Sequence, residues 1–379
     1  MTLLTGSPVA ADAPPTRVNA LAAELEDLAS RPWTLMEVCG GQTHAIVRWG
    51  LDQLLPSGMR LIHGPGCPVC VTPAATVDAA LALARRPEVI LASYGDMLRV
   101  PGSDPVGGAD LLGLRATGGD VRLLTSPLEA LSLARRHPDR LVVFLAVGFE
   151  TTAPATAVAL LQARRQGIEN LRVLASHVRV VPAMEAVLSE PDCAIDGFLA
   201  AGHVAAVMGL GELQALAERH RLPVVVTGFQ PEELMQGVVT CVRLLEEGGC
   251  GVRNAYGAVV RPDGNPQARS AMEAVFEPVS APWRGLGTIT GGALALREDY
   301  RRFDAFPLLD PPGPTAAAPE DNPCISGRIL QGRALPSDCP AFGGRCRPEH
   351  PLGAPMVSSE GACAAYHRYR GAGIPARCG

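Results

Sequence analysis

From about residue 34 onward the chain alternates apolar runs of strand length with segments of helical periodicity, and this rhythm limits the possible folds more than any other feature. The runs LMEV, RLIH, EVILASY and DVRLLT come first, separated by stretches such as PAATVDAALALARR, in which Pro73 stands near a first helical turn. RLVVFLAVGF, LRVLASH, AIDGFLAAGH and LPVVVTGF follow, each succeeded by a helical segment. A β-then-α rhythm implies mostly parallel sheets covered on both faces. The expected class is α/β, with two Rossmann-like parallel-sheet lobes facing a cleft and a cysteine-rich, loop-rich C-terminal region.

At 379 residues the chain exceeds one ordinary core. The expected division is a loose N-terminus over 1–16, a first α/β lobe over 17–120 and a second over 121–277. A cysteine-rich domain over 278–379 would complete it. RVNALAAELEDLASR (17–31) has helical spacing, with Leu21, Leu25 and Leu28 on one side and Pro32 as its stop. DPPGPTAAAPEDNP (310–323) reads as a linker or wrapped loop.

A net charge of −5 gives no electrostatic case for nucleic acid, and 4% aromatic residues argue against base-stacking platforms. No apolar run approaches the roughly 18 residues that span a bilayer. The N-terminus lacks the pattern of a secretory signal. A cytoplasmic protein is expected, in which 11 cysteines are reduced, metal-bound or redox-active. P-loop, dinucleotide-binding and nucleophile-elbow motifs are missing, so phosphate-cofactor chemistry has no warrant.

Two sets of thiols stand out. Cys39 ends an apolar run at Cys-Gly-Gly, a strand delivering a thiol to a tight turn. Cys67 and Cys70 form a CxxC in GPGCPVC, a stiff, largely non-helical turn expected to face solvent. Such a pair can share a metal or close a disulfide. The tail holds Cys324, Cys339, Cys346, Cys363 and Cys378. Its short supply of apolar periodicity calls for a staple. The intervals of 14, 6 and 16 residues among the first four fit a loop-wrapped cluster better than the paired CxxC units of structural zinc. Zinc, disulfides and free thiols remain alternatives, and Cys378 is the spare. Ser358 or Ser359 is expected to cap a short helix carrying Cys363.

His44, in GGQTH, could be a ligand, a proton shuttle or a hydrogen-bond partner for a thiolate, with a structural donor as the plainer reading, and His63 carries the same ambiguity. His203 stands at an expected strand end, which favours the cleft. Glu150, Thr151 and Thr152 crowd a helix N-terminus, where capping is the plainer reading and anion binding the sharper one. Cys193, Cys241 and Cys250 read as structural.

The strings MEVCGGQTHAIVRWG, HGPGCPVCVTP, FLAVGFETTAPATA, GFLAAGHVAAVMG, VVTGFQPEELM and MVSSEGACAAY, in order from about residue 18 to 370, resemble the hydrogenase formation family HypD. The resemblance implies a role in building the Fe(CN)2CO centre of [NiFe]-hydrogenases. It implies that Cys39 holds that iron, with a second thiolate from a HypC-type chaperone and cyanide from a HypE-type donor. His44 is the nearby histidine of the Cys39 motif, and Cys67 and Cys70 match the family's redox-capable pair. Cys324, Cys339, Cys346 and Cys363 match its [4Fe–4S] ligands. Two departures occur: many relatives have Cys at the positions of Ser326 and Pro355.

The function expected is therefore a scaffold and electron relay, closer to a metallocofactor assembly platform with redox activity than to a multiple-turnover enzyme. Two alternatives stay open, a thiol–disulfide oxidoreductase using Cys67 and Cys70 with the cluster as electron source, and a zinc-stapled interaction protein.

Overall fold

The computed structural model describes residues 16–103, 110–309 and 323–371. The chain lays down β1 (Thr34–Glu37) and β2 (Arg60–His63), then β3 (Val89–Ser93), β4 (Val121–Leu123), β5 (Leu141–Gly148) and β6 (Leu171–Val178). It continues with β7 (Gly197–Ala201), β8 (Pro223–Thr227) and β9 (Gly251–Asn254), and ends its strands with β10 (Phe276–Trp283) and β11 (Gly287–Leu296). One sheet has the order β2-β1-β7-β8-β9 and is parallel throughout. The other has the order β10-β11-β6-β5-β3-β4, parallel except where β11 meets β6 and β10. The α/β class with two parallel-dominated sheets is therefore as the alternation implied.

The sheets do not follow the division at residue 120. β3, before that boundary, pairs with both β4 and β5, which lie beyond it, and Leu35 of β1 pairs with Gly197 of β7. The chain starts the first sheet, builds most of the second, returns to finish the first, and adds a hairpin to the second. Strand order is fixed by non-local pairing, which a linear rhythm does not contain.

Burial explains why the runs are so apolar. Along β5, Val142, Phe144 and Ala146 face one core while Val143, Leu145 and Val147 face the other, so neither side can be polar. The β10–β11 hairpin escaped the sequence reading because Pro278 and Pro282 interrupt the first strand. β10 is an edge, where a residue without an N–H removes no ladder bond. The N-terminal helix, Thr16–Leu28, buries Val18, Leu21 and Leu25 in the same core as helix Pro231–Glu246.

The expected loose segment up to residue 15, most of the linker (310–322) and Cys378 lie outside the described residues. Among the described residues no helix is long and apolar enough to cross a membrane.

Candidate functional site

The order of the first sheet reverses at β1, with β2 on one side and β7, β8 and β9 on the other. In open α/β sheets such a reversal leaves a crevice at the carboxyl ends of the strands. Cys39 stands there, extended, as N-cap of helix Gly40–Trp49 and partly exposed. Backbone N–H groups of Gln42 and Gly41 aim at its sulfur and favour the thiolate, but burial outweighs them and pushes its pKa up to about 12. The Phe229 ring lies against Gly41, and His203 stacks on Phe229 with ring centroids 3.9 Å apart. His203 is exposed and so reaches the mouth of this crevice, as its strand-end position suggested.

The loop after β2 lies directly beside Cys39. Gly40 N–H donates to Gly66 O at 2.9 Å and Gly64 N–H to Glu37 O at 2.8 Å. A Cβ on Gly66 would overlap the backbone of Val38 and Cys39, so only glycine allows this approach. Cys67 and Cys70 are joined by a disulfide, with Cα atoms 5.3 Å apart. Two expectations fail here. The turn is helical over Pro68–Val71, with Cys67 as N-cap and Pro68 in the first turn. It is also buried, leaving Cys67 3% and Cys70 1% exposed, because other segments cover it.

Beneath Cys39 lies Glu37, fully buried. Its Oε2 accepts the Cys39 N–H at 2.8 Å, and its Oε1 accepts the Thr43 hydroxyl and meets His63 Nδ1 at 2.8 Å. One carboxylate thus ties the Cys39 turn, its helix and the strand leading to Cys67. His63 is buried, its Nε2 has no hydrogen-bond partner among the described residues, and its ring stands edge-on to Tyr366. Sequence reasoning missed Glu37. A single Glu in a short apolar run reads as the exposed position of an alternating strand, and only the Thr43 and His63 side chains reveal its role.

His44 turns to the C-terminal segment. Its Nδ1–H donates to Ser359 O at 3.0 Å and its Nε2 meets the Tyr369 hydroxyl at 3.1 Å. Both nitrogens are engaged by a carbonyl and a phenol rather than by a thiolate, which is the arrangement of a structural histidine. A Cβ on Gly40 would stand 2.5 Å from Glu360 Cβ, so the SSEG turn packs directly on the Cys39 motif. Helix Ala362–Arg370 lies along helix Gly40–Trp49. Its N-cap is Gly361 and no side chain caps it, contrary to the expectation for Ser358 and Ser359; Ser358 Oγ instead accepts Glu360 N–H within the preceding turn.

Cys324, Cys339, Cys346 and Cys363 line one cavity, together with Ser326 and Pro355, the two positions where this chain departs from its resemblance. Ile329, Phe342 and Met356 supply apolar wall. Gly353 leaves no room for a Cβ against Cys324 Sγ. Burial first, then the neighbouring thiols of Cys324, Cys346 and Cys339, holds the Cys363 thiol well above its usual range. Burial likewise raises Cys346, against an opposing N–H from Leu352. Among the described residues no three His, Cys, Asp or Glu side chains are gathered closely enough for one metal ion. Four soft donors around one apolar cavity are of the type that could hold an iron–sulfur cluster.

Glu150 does cap a helix, but a different one from that expected. Its carboxylate accepts the Val180 N–H at 3.1 and 3.3 Å, at the start of helix Val180–Leu188. Cys241 is buried, Cys193 is partly buried and Cys250 is exposed.

The HypD family model, described as "Hydrogenase formation hypA family", matches residues 16–370. The chain is 45% identical over 355 residues to the hydrogenase maturation factor HypD of Rhodobacter capsulatus, covering 93% of each. It is 46% identical over 348 residues to the hydrogenase expression/formation protein HupD of Azotobacter chroococcum mcd 1, covering 90% of each. It is 44% identical over 350 residues to the hydrogenase maturation factor HypD of Escherichia coli K12, covering 92% of each.

Proposed function

The chain belongs to the HypD family of hydrogenase maturation factors, and we propose that it is the scaffold and electron relay on which the Fe(CN)2CO unit of [NiFe]-hydrogenases is assembled. The observation that carries this reading is the adjacency of three thiol sites. Cys39 touches the Cys67–Cys70 loop through backbone, and the helix bearing Cys363 packs on the helix that Cys39 caps.

In this reading Cys39, a partly exposed residue, holds the iron cargo at the strand reversal. A HypC-type chaperone brings the second thiolate and a HypE-type partner the cyanide. Releasing cyanide from a thiocyanate-type donor breaks an S–C bond and takes two electrons, leaving a thiolate and cyanide. The Cys67–Cys70 pair stores that number: the disulfide takes two electrons and two protons to become two thiols. Cys324, Cys339, Cys346 and Cys363 would hold a [4Fe–4S] cluster, which supplies single electrons when bound. Glu37 fixes the Cys39 turn, and His44 clamps the cluster-bearing segment against it. Such chemistry belongs in the cytoplasm, where thiols stay reducible.

Burial of Cys67 and Cys70 argues against the oxidoreductase alternative, since a protein disulfide has no access to either sulfur. The spread of the four tail thiols argues against zinc. The deciding experiment is infrared spectroscopy of the chain bound to its HypC-type partner. Cys39→Ala is expected to abolish the cyanide and carbonyl bands; bands that persist would remove Cys39 as the iron ligand.

A further inference from the structure

The tip of the β10–β11 hairpin is wedged between the two thiol sites. On one side Arg284 N–H donates to Val71 O at 2.8 Å, and Arg284 Nε donates to Thr72 O at 2.8 Å. These carbonyls end the short helix that contains Cys70. Nη2 donates to Pro101 O at 3.2 Å, so each side-chain hydrogen bond of Arg284 ends on a backbone carbonyl. On the other side Gly285, at φ +79°, packs on Gly327. A Cβ on Gly285 would stand 2.8 Å from Gly327 Cα, and one on Gly327 2.5 Å from Gly285 O. Gly327 follows Ser326, in the wall of the four-cysteine cavity. The guanidinium is withdrawn from water far enough that burial pulls its pKa down to about 10, which leaves it charged at neutral pH, and its electrostatic neighbours are Asp78 and Cys324.

We propose that Arg284 is a positioning residue of the relay: its fixed positive charge, held between the Cys70 helix and the Cys324 wall, stabilises the reduced form of the cluster and sets the potential at which electrons leave for Cys67–Cys70. The inference rests on the proposed cluster in that cavity. Reduction adds one negative charge to a thiolate-bound centre. A cation in a medium of low dielectric lowers the energy of that charge far more than it would in water. The hydrogen bonds to Val71 and Thr72 keep the cation there in both oxidation states.

The test is an anaerobic redox titration of the full chain with dithionite, read by visible absorption and by the paramagnetic signal of the reduced cluster, beside iron and sulfide analysis. Arg284→Gln is expected to bind the same iron and sulfide but to shift the cluster equilibrium at least tenfold toward the oxidised form, about 59 mV lower for one electron. Arg284→Lys keeps the charge while losing the fork, and is expected within threefold of wild type. An Arg284→Gln cluster of unchanged potential overturns the inference and leaves the relay reading standing. Wild-type protein without iron and sulfide removes both. If Arg284→Gln cannot be loaded, Arg284→Lys decides: a tenfold shift with the charge retained overturns the inference, and a potential within threefold upholds it.

Discussion

Gly66 rests against the backbone of Cys39, and this contact joins the two cysteine loops that follow the adjacent parallel strands β1 and β2. A methyl group at residue 66 has nowhere to go, because its neighbours are main-chain atoms rather than the flexible end of a side chain. Gly66→Ala is therefore expected to cost about 1–3 kcal/mol through overpacking. It should lower the melting temperature and change the rate at which reductant opens Cys67–Cys70. Gly211→Ala is the control, since it starts a helix with nothing within 4 Å of the added atom. There the substitution is expected to be neutral or slightly stabilising.

Glu37→Ala removes one acceptor group from three donors at once: the Cys39 N–H, the Thr43 hydroxyl and His63 Nδ1. With three donors left without their acceptor, the cost should reach about 3–5 kcal/mol, at roughly 1–3 kcal/mol for each buried group left unsatisfied. Thermal unfolding would show it, and faster alkylation of Cys39 would show that the turn has loosened. Glu37→Gln keeps one carbonyl oxygen and is expected to fall between alanine and wild type. Equal stability of Glu37→Ala and wild type would contradict the arrangement.

How much of this was legible in the sequence depends on how far each contact reaches. The β/α rhythm, the delivery of Cys39 by a strand and the grouping of the tail cysteines were readable because each is local or compositional. The burial of Cys67 and Cys70 was not, because nothing in GPGCPVC announces that segments some 200 or more residues away will cover it, Arg284 among them. Glu37 was missed for a related reason: its partner His63 meets it only once β1 and β2 pair in register, Glu37 against His63. The return of the chain to its first sheet at β7 depends on pairing across 162 residues, between Leu35 and Gly197. Apolar runs specify that strands are buried, not which neighbour buries them.

The cavity formed by Cys324, Cys339, Cys346 and Cys363 gives a direct expectation for iron. Serine at any one of the four should strip most of the iron and acid-labile sulfide from anaerobically purified protein, since a cluster bound by four thiolates has no spare protein ligand among them. Cys250→Ser, at an exposed position, should leave the iron content unchanged. Ser326→Cys and Pro355→Cys add thiols to the wall of the same cavity. If the four thiolates suffice, neither raises the iron content. A gain of iron in either variant would show that the departure at that position weakens the site.

Glu150 supplies a pH dependence whose sign can be worked out. The carboxyl is 1% exposed, and burial raises its pKa from 4.5 to about 7 despite the hydrogen bond from Val180 and the nearby charge of Arg179. Arg179 cannot fully neutralise it, because its guanidinium is already paired with Glu212 at 2.8 and 2.9 Å. Between pH 4.5 and 7 the folded chain holds a proton at Glu150 that the unfolded chain has lost, so this group's contribution to stability falls as pH rises. The total is about 3 kcal/mol at 1.36 kcal/mol per unit, and it levels off above pH 7. His177 acts in the opposite direction. Burial lowers its pKa from 6.5 to about 4, so the folded state loses stability as pH falls through that window. The raw stability curve mixes the two, and the comparison with Glu150→Gln separates them, since His177 is common to both proteins. The difference in unfolding free energy, wild type minus Glu150→Gln, is expected to drop by about 3 kcal/mol from pH 4.5 to 7. A difference that stays flat across this range would mean that the carboxylate keeps its solution pKa in the folded chain.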